Sequence, residues 1–285
     1  MRVVRKPWGR LDLHPWSRLA TDAIAVGELW FDRAEDDGNP PALLIKLLFT
    51  DQHLSIQVHP DDDYAHSIGQ ANGKSEAWYI LSARQDAQVG VGLTTTLSTS
   101  QLRAAITDGS IADLVNWRSV AAGEVVYVPA GTIHAIGPGL VIAEIQQRSD
   151  TTFRLFDYGR GRSLDVEGAI AVACACPAPP QPQPHRQSAI RTILVANAFF
   201  VIERITLAAS SSYELTANGE TWIMSIAGSL ALGGIDLDTG EVAYMHDAGA
   251  KMASGPAGAE ALVAYTGPRI ALGVAKEPIN LELSV

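Results

Sequence analysis

Cysteine is nearly absent: the chain of 285 residues contains two, Cys174 and Cys176. Two cysteines are too few for a disulfide framework, and a Cys-Ala-Cys spacing beside a proline run is more often incidental than a metal site. Basic residues are also scarce, since 21 lysines and arginines face 31 acidic residues and give a formal charge of −10. Because nucleic acids require a basic face, we expect no nucleic-acid partner.

Long hydrophobic runs are missing as well. No apolar segment reaches the ~18 to 20 residues that a membrane-spanning helix needs, and the start of the chain, Met1 to Trp8, lacks the apolar core of a signal peptide. We therefore expect a cytoplasmic protein without a membrane partner. Hydrophobic residues make up 47% and charged residues 18% of the chain, which is typical of folded domains.

Residues 123–134 combine a short apolar strand with a histidine. The run from Val125 to Val128 predicts the strand. Pro129 and Gly131 end it, because proline has no N–H to donate and glycine permits a tight reversal. His134 begins the next strand, so we expect its side chain to line an enclosed volume.

Candidate partners for this histidine lie upstream. Gln57 and His59 alternate along an apolar strand and therefore share one face, and Glu76 stands at the head of another apolar strand. An amide oxygen, two imidazoles and a carboxylate suit zinc or a similar divalent ion with one position left open. We predict a metal site formed by Gln57, His59, Glu76 and His134.

Four motifs occur in a characteristic order. They are Gln57-x-His59-Pro60-Asp61, Gly73-Lys74-Ser75-Glu76, Pro129-Ala130-Gly131-Thr132-Ile133-His134 and Glu144-Ile145-Gln146-Gln147-x-Ser149-Asp150-Thr151-Thr152-Phe153-Arg154. In these motifs the chain resembles the type I mannose-6-phosphate isomerases (phosphomannose isomerases), which are zinc-dependent enzymes of the cupin superfamily. The specific similarity covers about residues 5 to 160.

The resemblance implies an all-β bicupin fold, two jelly-roll β-barrels in tandem. It also implies an aldose-ketose isomerase that interconverts mannose 6-phosphate and fructose 6-phosphate through an enediol, with one zinc ion as cofactor and a sugar phosphate as substrate. Arg154 matches an arginine that the family uses in catalysis, Glu144 matches a proposed proton-transfer base, and Lys74 is a further candidate for proton transfer. Lys46 and Ser55 correspond to the phosphate side of the substrate.

The chain also shows signs of domain organisation. Between residues 97 and 119 the apolar positions Leu102, Ala105 and Ile106 recur at helical spacing, which predicts a short helical insertion. Five prolines between residues 177 and 184 predict an extended connector. We expect an N-terminal catalytic domain over residues 1–176, a linker over 177–187 and a C-terminal domain over 188–285.

An internal repeat supports two similar domains. Glu76-Ala77-Trp78 recurs as Glu220-Thr221-Trp222, and Gly123-Glu124-Val125 recurs as Gly240-Glu241-Val242. Counted from these glycines, the position of His134 holds Lys251 in the second copy. The C-terminal domain is therefore predicted to be a metal-free cupin with a structural role.

Two alternatives remain open at this point. The protein could be an isomerase that acts on a different or unphosphorylated sugar, or a sugar-binding bicupin without catalysis. The sequence does not decide which residue is the proton-transfer base, which divalent metal is bound or what the oligomeric state is.

Overall fold

The computed structural model describes residues 1–33 and 40–267. The all-β prediction is confirmed, because 49% of the structure is strand and 10% is helix. The tandem jelly-roll arrangement stays a prediction, and the last residues of the expected C-terminal domain, 268–285, lie outside the described residues. No helix in the described ranges is long and apolar enough to cross a membrane.

The chain divides into two compact units. The first contains Met1–Asp12, Thr21–Asp32 and Leu44–Gln181, and the second contains Leu13–Ala20, Arg33–Leu43 and Pro182–Val285. The division after Gln181 falls inside the proline-rich segment. The domain boundaries expected from the sequence stay a prediction, and no sequence pattern indicated that the two early segments group with the second unit.

Two sheets form the first unit. The first sheet has the order β1 (Arg2–Arg10), β2 (Val26–Phe31), β3 (Leu43–Thr50), β10 (Leu140–Gln147), β5 (Glu76–Ala83), β8 (Val125–Val128). The second has the order β11 (Phe153–Phe156), β4 (Ile56–Val58), β9 (His134–Ile136), β6 (Gln88–Leu93), β7 (Val115–Ser119). One apolar core joins them, since Trp78 and Ile142 of the first sheet pack with Val89 and Ile136 of the second.

The helices of residues 1–33 and 40–267 are short and belong to the first unit. They are α1 (Asp62–Ser67), α2 (Thr99–Asp108), α3 (Ile111–Leu114) and α4 (Val166–Val172). The predicted helical insertion is confirmed in α2, where Ser98 and Gln101 form a capping box and Gly109 ends the helix at φ 83°. It is shorter than predicted, because the chain is a strand again from Val115 to Ser119.

One sheet forms most of the second unit. Its order is β12 (His185–Arg186), β13 (Arg191–Ala196), β14 (Phe200–Leu207), β19 (Gly249–Thr266), β16 (Glu220–Leu232), β17 (Ile235–Leu237), with β15 (Ser212–Thr216) paired to β19 and β18 (Val242–His246) paired to β16. Its core residues alternate along these strands, as expected for strands with one buried face.

The internal repeat is visible as a shared local geometry. Trp78 Nε1 donates to Glu76 Oε1 at 3.1 Å, and Trp222 Nε1 donates to Glu220 Oε1 at 2.8 Å. Each glutamate is the first residue of its strand, β5 or β16. The two copies therefore begin their central strands with the same carboxylate–indole contact.

The surroundings of the second copy differ from those of the first. Glu220 accepts hydrogen bonds from the backbone N–H groups of Ala42 and Leu43, at 2.5 and 2.9 Å. Lys251, at the position expected for a ligand, is exposed on β19. Glu220 therefore binds two backbone N–H groups, whereas Glu76, its counterpart in the first copy, faces two imidazoles.

Cys174 and Cys176 are bonded to each other as a disulfide, with a Cα–Cα distance of 5.4 Å. The backbone N–H of Cys174 donates to the carbonyl of Gly131 at 2.8 Å. The pair therefore lies beside the turn that precedes His134, and its cysteines are covalently paired rather than metal ligands.

A buried ion pair in the second unit allows a test of stability. Arg191 donates to both carboxylate oxygens of Glu203 at 2.7 Å, and Tyr265 Oη donates to the same carboxylate at 2.5 Å. Since Glu203 is fully buried, removing its charge leaves a buried guanidinium uncompensated. We expect Glu203→Gln to lower the free energy of unfolding by about 3 kcal/mol, measured by urea unfolding. Glu214→Gln, on the exposed side of β15, is the control, and equal urea midpoints for the two variants would contradict the expectation.

Candidate metal centre and active site

Three neighbouring strands align the first site residues. Gln57 on β4 pairs directly with His134 on β9 and, on its other side, with Arg154 on β11. Side chains of directly paired residues lie on the same face of a sheet. The strand pairing therefore brings together residues that are far apart in the sequence.

The predicted histidine–glutamate set forms one buried cluster. The ligand atoms of His59, Glu76 and His134 all lie within 4.8 Å of one another, and each Nε2 is 3.4 Å from a carboxylate oxygen of Glu76. Nδ1 of His59 lies 2.9 Å from the carbonyl of Thr151, and Nδ1 of His134 lies 2.9 Å from that of Thr132. Because a carbonyl can only accept, both Nδ1 atoms carry the proton and both Nε2 lone pairs face the carboxylate.

Gln57 borders this cluster as the predicted amide ligand. Its Nε2 is 3.3 Å from His134 Nε2, and its Oε1 accepts from Ser55 Oγ at 3.2 Å. A half-turn of the amide would direct the oxygen toward the histidine. Two imidazole lone pairs and a carboxylate that face one another require a cation, so the residues present fit a divalent metal ion with N/O ligands.

Lys74 places a positive charge among the ligand atoms. Its Nζ lies 2.7 Å from His59 Nε2 and also donates to Glu76, and the residue is 4% exposed. Burial and the charge of Lys74 lower the pKa of His59 to about 3, and burial lowers the pKa of His134. Both imidazoles are therefore neutral, as metal ligands must be.

A row of alternating charges crosses the first sheet on adjacent strands. Lys6 on β1 lies 3.4 Å from Glu28 on β2, Glu28 lies 4.0 Å from Lys46 on β3, and Lys46 lies 3.1 Å from Glu144 on β10. The apolar run of β3 accommodates its lysine because the ammonium has two carboxylate neighbours. Lys46 thus meets protein anions inside the first unit rather than extending into solvent.

The buried charges in this row affect one another. Burial alone would lower the pKa of Lys46, but Glu144 and Glu28 more than offset it and the pKa is raised. Burial raises the pKa of Glu144, although Lys46 opposes it. The ammonium of Lys46 also lies 4.5 Å from the ring centre of Trp30, and Trp78 Nε1 lies 3.2 Å from Glu144. Glu144 is therefore a carboxylate that can hold a proton more readily than an exposed one.

One cavity of about 240 Å³ adjoins these groups. The predicted site residues that line it are Arg154, Glu144, Lys74, Lys46, Ser55 and Gln57. Sequence reasoning missed Glu28, Lys6 and Arg162, which also line it. Only for Glu28 did the sequence offer a signal: in Gly27-Glu28-Leu29-Trp30 the spacing of two places Glu28 and Trp30 on the same face of a strand.

Comparison with known proteins identifies relatives of this chain by sequence. No family profile matches the chain. It is 37% identical over 206 residues to the mannose-6-phosphate isomerase ManA of Bacillus subtilis, covering 66% of this chain and 64% of that protein. It is 36% identical over 206 residues to the mannose-6-phosphate isomerase of Streptococcus mutans, covering 68% and 65%. The chain is a homologue of mannose-6-phosphate isomerases. It spans just under two thirds of the length of these two relatives.

Solved structures of such isomerases share the fold. The mannose 6-phosphate isomerase of Bacillus subtilis superposes with a TM-score of 0.80 at 23% identity, over 93% of this chain and 97% of the other. A protein described as a putative mannosephosphate isomerase from Archaeoglobus fulgidus gives 0.73 at 16% identity, over 93% and 95%. At these identities the likeness establishes the fold alone.

The cluster predicts how the metal content responds to substitution. We expect the native protein to bind about one divalent ion per chain, and Glu76→Ala and His134→Ala to bind little or none, because each removes a ligand. Metal analysis of purified protein by mass spectrometry measures this. His66→Ala is the control, since His66 is exposed and its side chain lies 2.9 Å from the carbonyl of Ala71, away from the cluster. Full metal content in the Glu76 variant would contradict the assignment.

Proposed function

We propose that the chain is a zinc-dependent cupin enzyme that interconverts mannose 6-phosphate and fructose 6-phosphate. The observation that supports this is the position of the buried histidine–glutamate cluster beside the cavity. Lys74 and Gln57 contact the cluster and also line the cavity, together with Glu144 and Arg154. The homologues named mannose-6-phosphate isomerase favour the same reaction. Titratable groups buried at such a cavity favour catalysis over binding alone.

The reaction sets three physical tasks. A proton moves between C1 and C2 of the sugar while the carbonyl and hydroxyl exchange places, and an enediol lies between the two forms. The oxygens must be polarised, the proton must be carried, and the phosphorylated end must be held. Zinc, held by Gln57, His59, Glu76 and His134, would supply positive charge for the oxygens of the substrate.

Glu144 and Lys74 are the two groups suited to carry the proton. A base works best when its pKa lies near the working pH, and burial moves the pKa of Glu144 upward, in that direction. Lys46, at 3.1 Å, fixes the carboxylate in place. Lys74 can donate through its ammonium, but in the described contacts that group is engaged with His59 and Glu76.

Arg154 suits the negative charge that develops on the substrate. A guanidinium is always charged and offers a planar fork of donors that matches an enediolate or a phosphate. Arg154 lines the cavity next to Gln57, its cross-strand partner. We assign it to stabilise the anionic form of the substrate.

Two substitutions separate the proton carriers. We expect Glu144→Gln to lower kcat by roughly a hundred- to ten-thousandfold, because the amide keeps the size of the side chain and cannot accept the proton. Lys74→Met removes the other candidate, and the variant with the larger loss of kcat identifies the carrier. Exchange of the C2 proton with solvent, followed by NMR, checks that the lost step is proton transfer. Native kcat in both variants would exclude both groups.

Metal removal tests the proposed activity as a whole. In an assay that couples fructose 6-phosphate to a dehydrogenase, we expect activity with mannose 6-phosphate, loss after chelation and recovery when zinc is added. Absence of turnover by the metal-loaded protein would refute the proposal. Turnover of free mannose that equals turnover of mannose 6-phosphate would instead favour an isomerase for unphosphorylated sugars.

A further inference from the structure

Most cations of the cavity are already matched by protein carboxylates. Lys46 lies between Glu144 and Glu28, at 3.1 and 4.0 Å, and Lys74 donates to Glu76. A phosphoryl group carries about −1.5 to −2 charges near neutral pH. It therefore requires positive charge that these matched lysines do not offer.

Unmatched positive charge lies beside another part of the cavity wall, the part that Arg154 and Arg162 line. Three arginines, Arg154, Arg160 and Arg162, lie around a single carboxylate, Asp157. Arg160 Nη2 donates to Asp157 Oδ1 at 2.9 Å and Arg162 Nε donates to Oδ2 at 2.8 Å. Burial, with the positive charge of Arg162 next in weight, lowers the pKa of Arg154. The group therefore has two more positive charges than Asp157 compensates.

Other charged groups at the cavity do not cancel this excess by contact. Asp150 also lines the cavity, and its charge acts on Lys46. Arg154 donates through Nη1 to the carbonyl of Ser163 at 3.2 Å, and its buried Nε has no hydrogen-bond partner among the described residues. A donor that is buried without a partner costs free energy unless a ligand meets it.

Arg162 is oriented for such a ligand. Its hydrogen bonds to Asp157 use Nε and Nη2, which leaves Nη1 without a hydrogen bond among the described residues. Arg162 lines the cavity together with Arg154. Asp157 is 4% exposed and fixes the guanidinium before a ligand arrives. A donor fixed in this way loses little conformational entropy on binding.

We propose that Arg162, together with Arg154, binds the phosphoryl group of the substrate, and that Lys46 serves to hold Glu144. The proposal rests on the proposed function and identifies the residues that select a phosphorylated sugar. It moves the phosphate side away from Lys46, where the family resemblance suggested it.

A matched pair of variants tests the assignment. Arg162→Gln and Arg160→Gln each remove one guanidinium from Asp157, but of the two only Arg162 lines the cavity. We expect Arg162→Gln to raise both KM for mannose 6-phosphate and the inhibition constant of inorganic phosphate at least about tenfold, with a smaller change in kcat. Arg160→Gln lowers the same excess charge by one but removes no donor that lines the cavity, so it should raise both constants clearly less than Arg162→Gln does. Equal effects of the two variants would show that Arg162 only supports the loop and would overturn the proposal.

Two further variants cover the remaining outcomes. Arg162→Lys keeps the charge without the fork, so intermediate constants are expected, and it replaces the glutamine variant if that protein does not fold. Lys46→Met should lower kcat and leave inhibition by inorganic phosphate unchanged. Loss of that inhibition in Lys46→Met, with native inhibition in Arg162→Gln, would return the phosphate to Lys46 and overturn the proposal.

Calorimetry separates this proposal from the proposed function. Titration of inorganic phosphate into the native protein and into Arg162→Gln measures binding without turnover. Weaker binding by the variant supports the anion site even if the native protein isomerises no sugar phosphate, in which case only the proposed function fails. Active protein whose phosphate binding is the same in both forms refutes the anion site alone.

Discussion

The interior of the first unit depends on one electrostatic constraint, the need for a cation among buried hydrogen-bond acceptors. Two imidazole lone pairs are directed at a carboxylate because backbone carbonyls hold the opposite nitrogen of each ring. Acceptors that face acceptors repel unless a cation lies among them. The ammonium of Lys74 supplies part of this positive charge. The same converging acceptors also suit a divalent ion.

The charged row across the first sheet follows from the same constraint. A buried ion costs several kcal/mol unless it is paired and hydrogen-bonded, so Lys46 and Glu144 are tolerable in strands β3 and β10 only as neighbours. Glu28 adds a second carboxylate on the next strand. Strand order therefore decides which charges are matched inside the protein and which remain for a ligand.

Spacing along the chain predicted the features that are local. The alternation of Gln57 and His59, the turn before His134 and the capped helix after Ser98 were all readable, because each depends on neighbouring residues. The surroundings of Lys46 were not, since they require knowing that β2, β3 and β10 are adjacent. Arg162 was missed for the same reason, as its place at the cavity depends on how a loop folds back.

The carboxylate of Glu220 has consequences for how the two copies of the repeat can change over time. In the first copy, Glu76 faces His59 and His134, so selection would act on the cluster that fits a metal ion. In the second copy, Glu220 holds the amides of Ala42 and Leu43, so selection would act on folding yield. The equivalent positions of the repeat are thus under two different constraints, and the second copy can change in chemistry as long as position 220 keeps an acceptor for those amides.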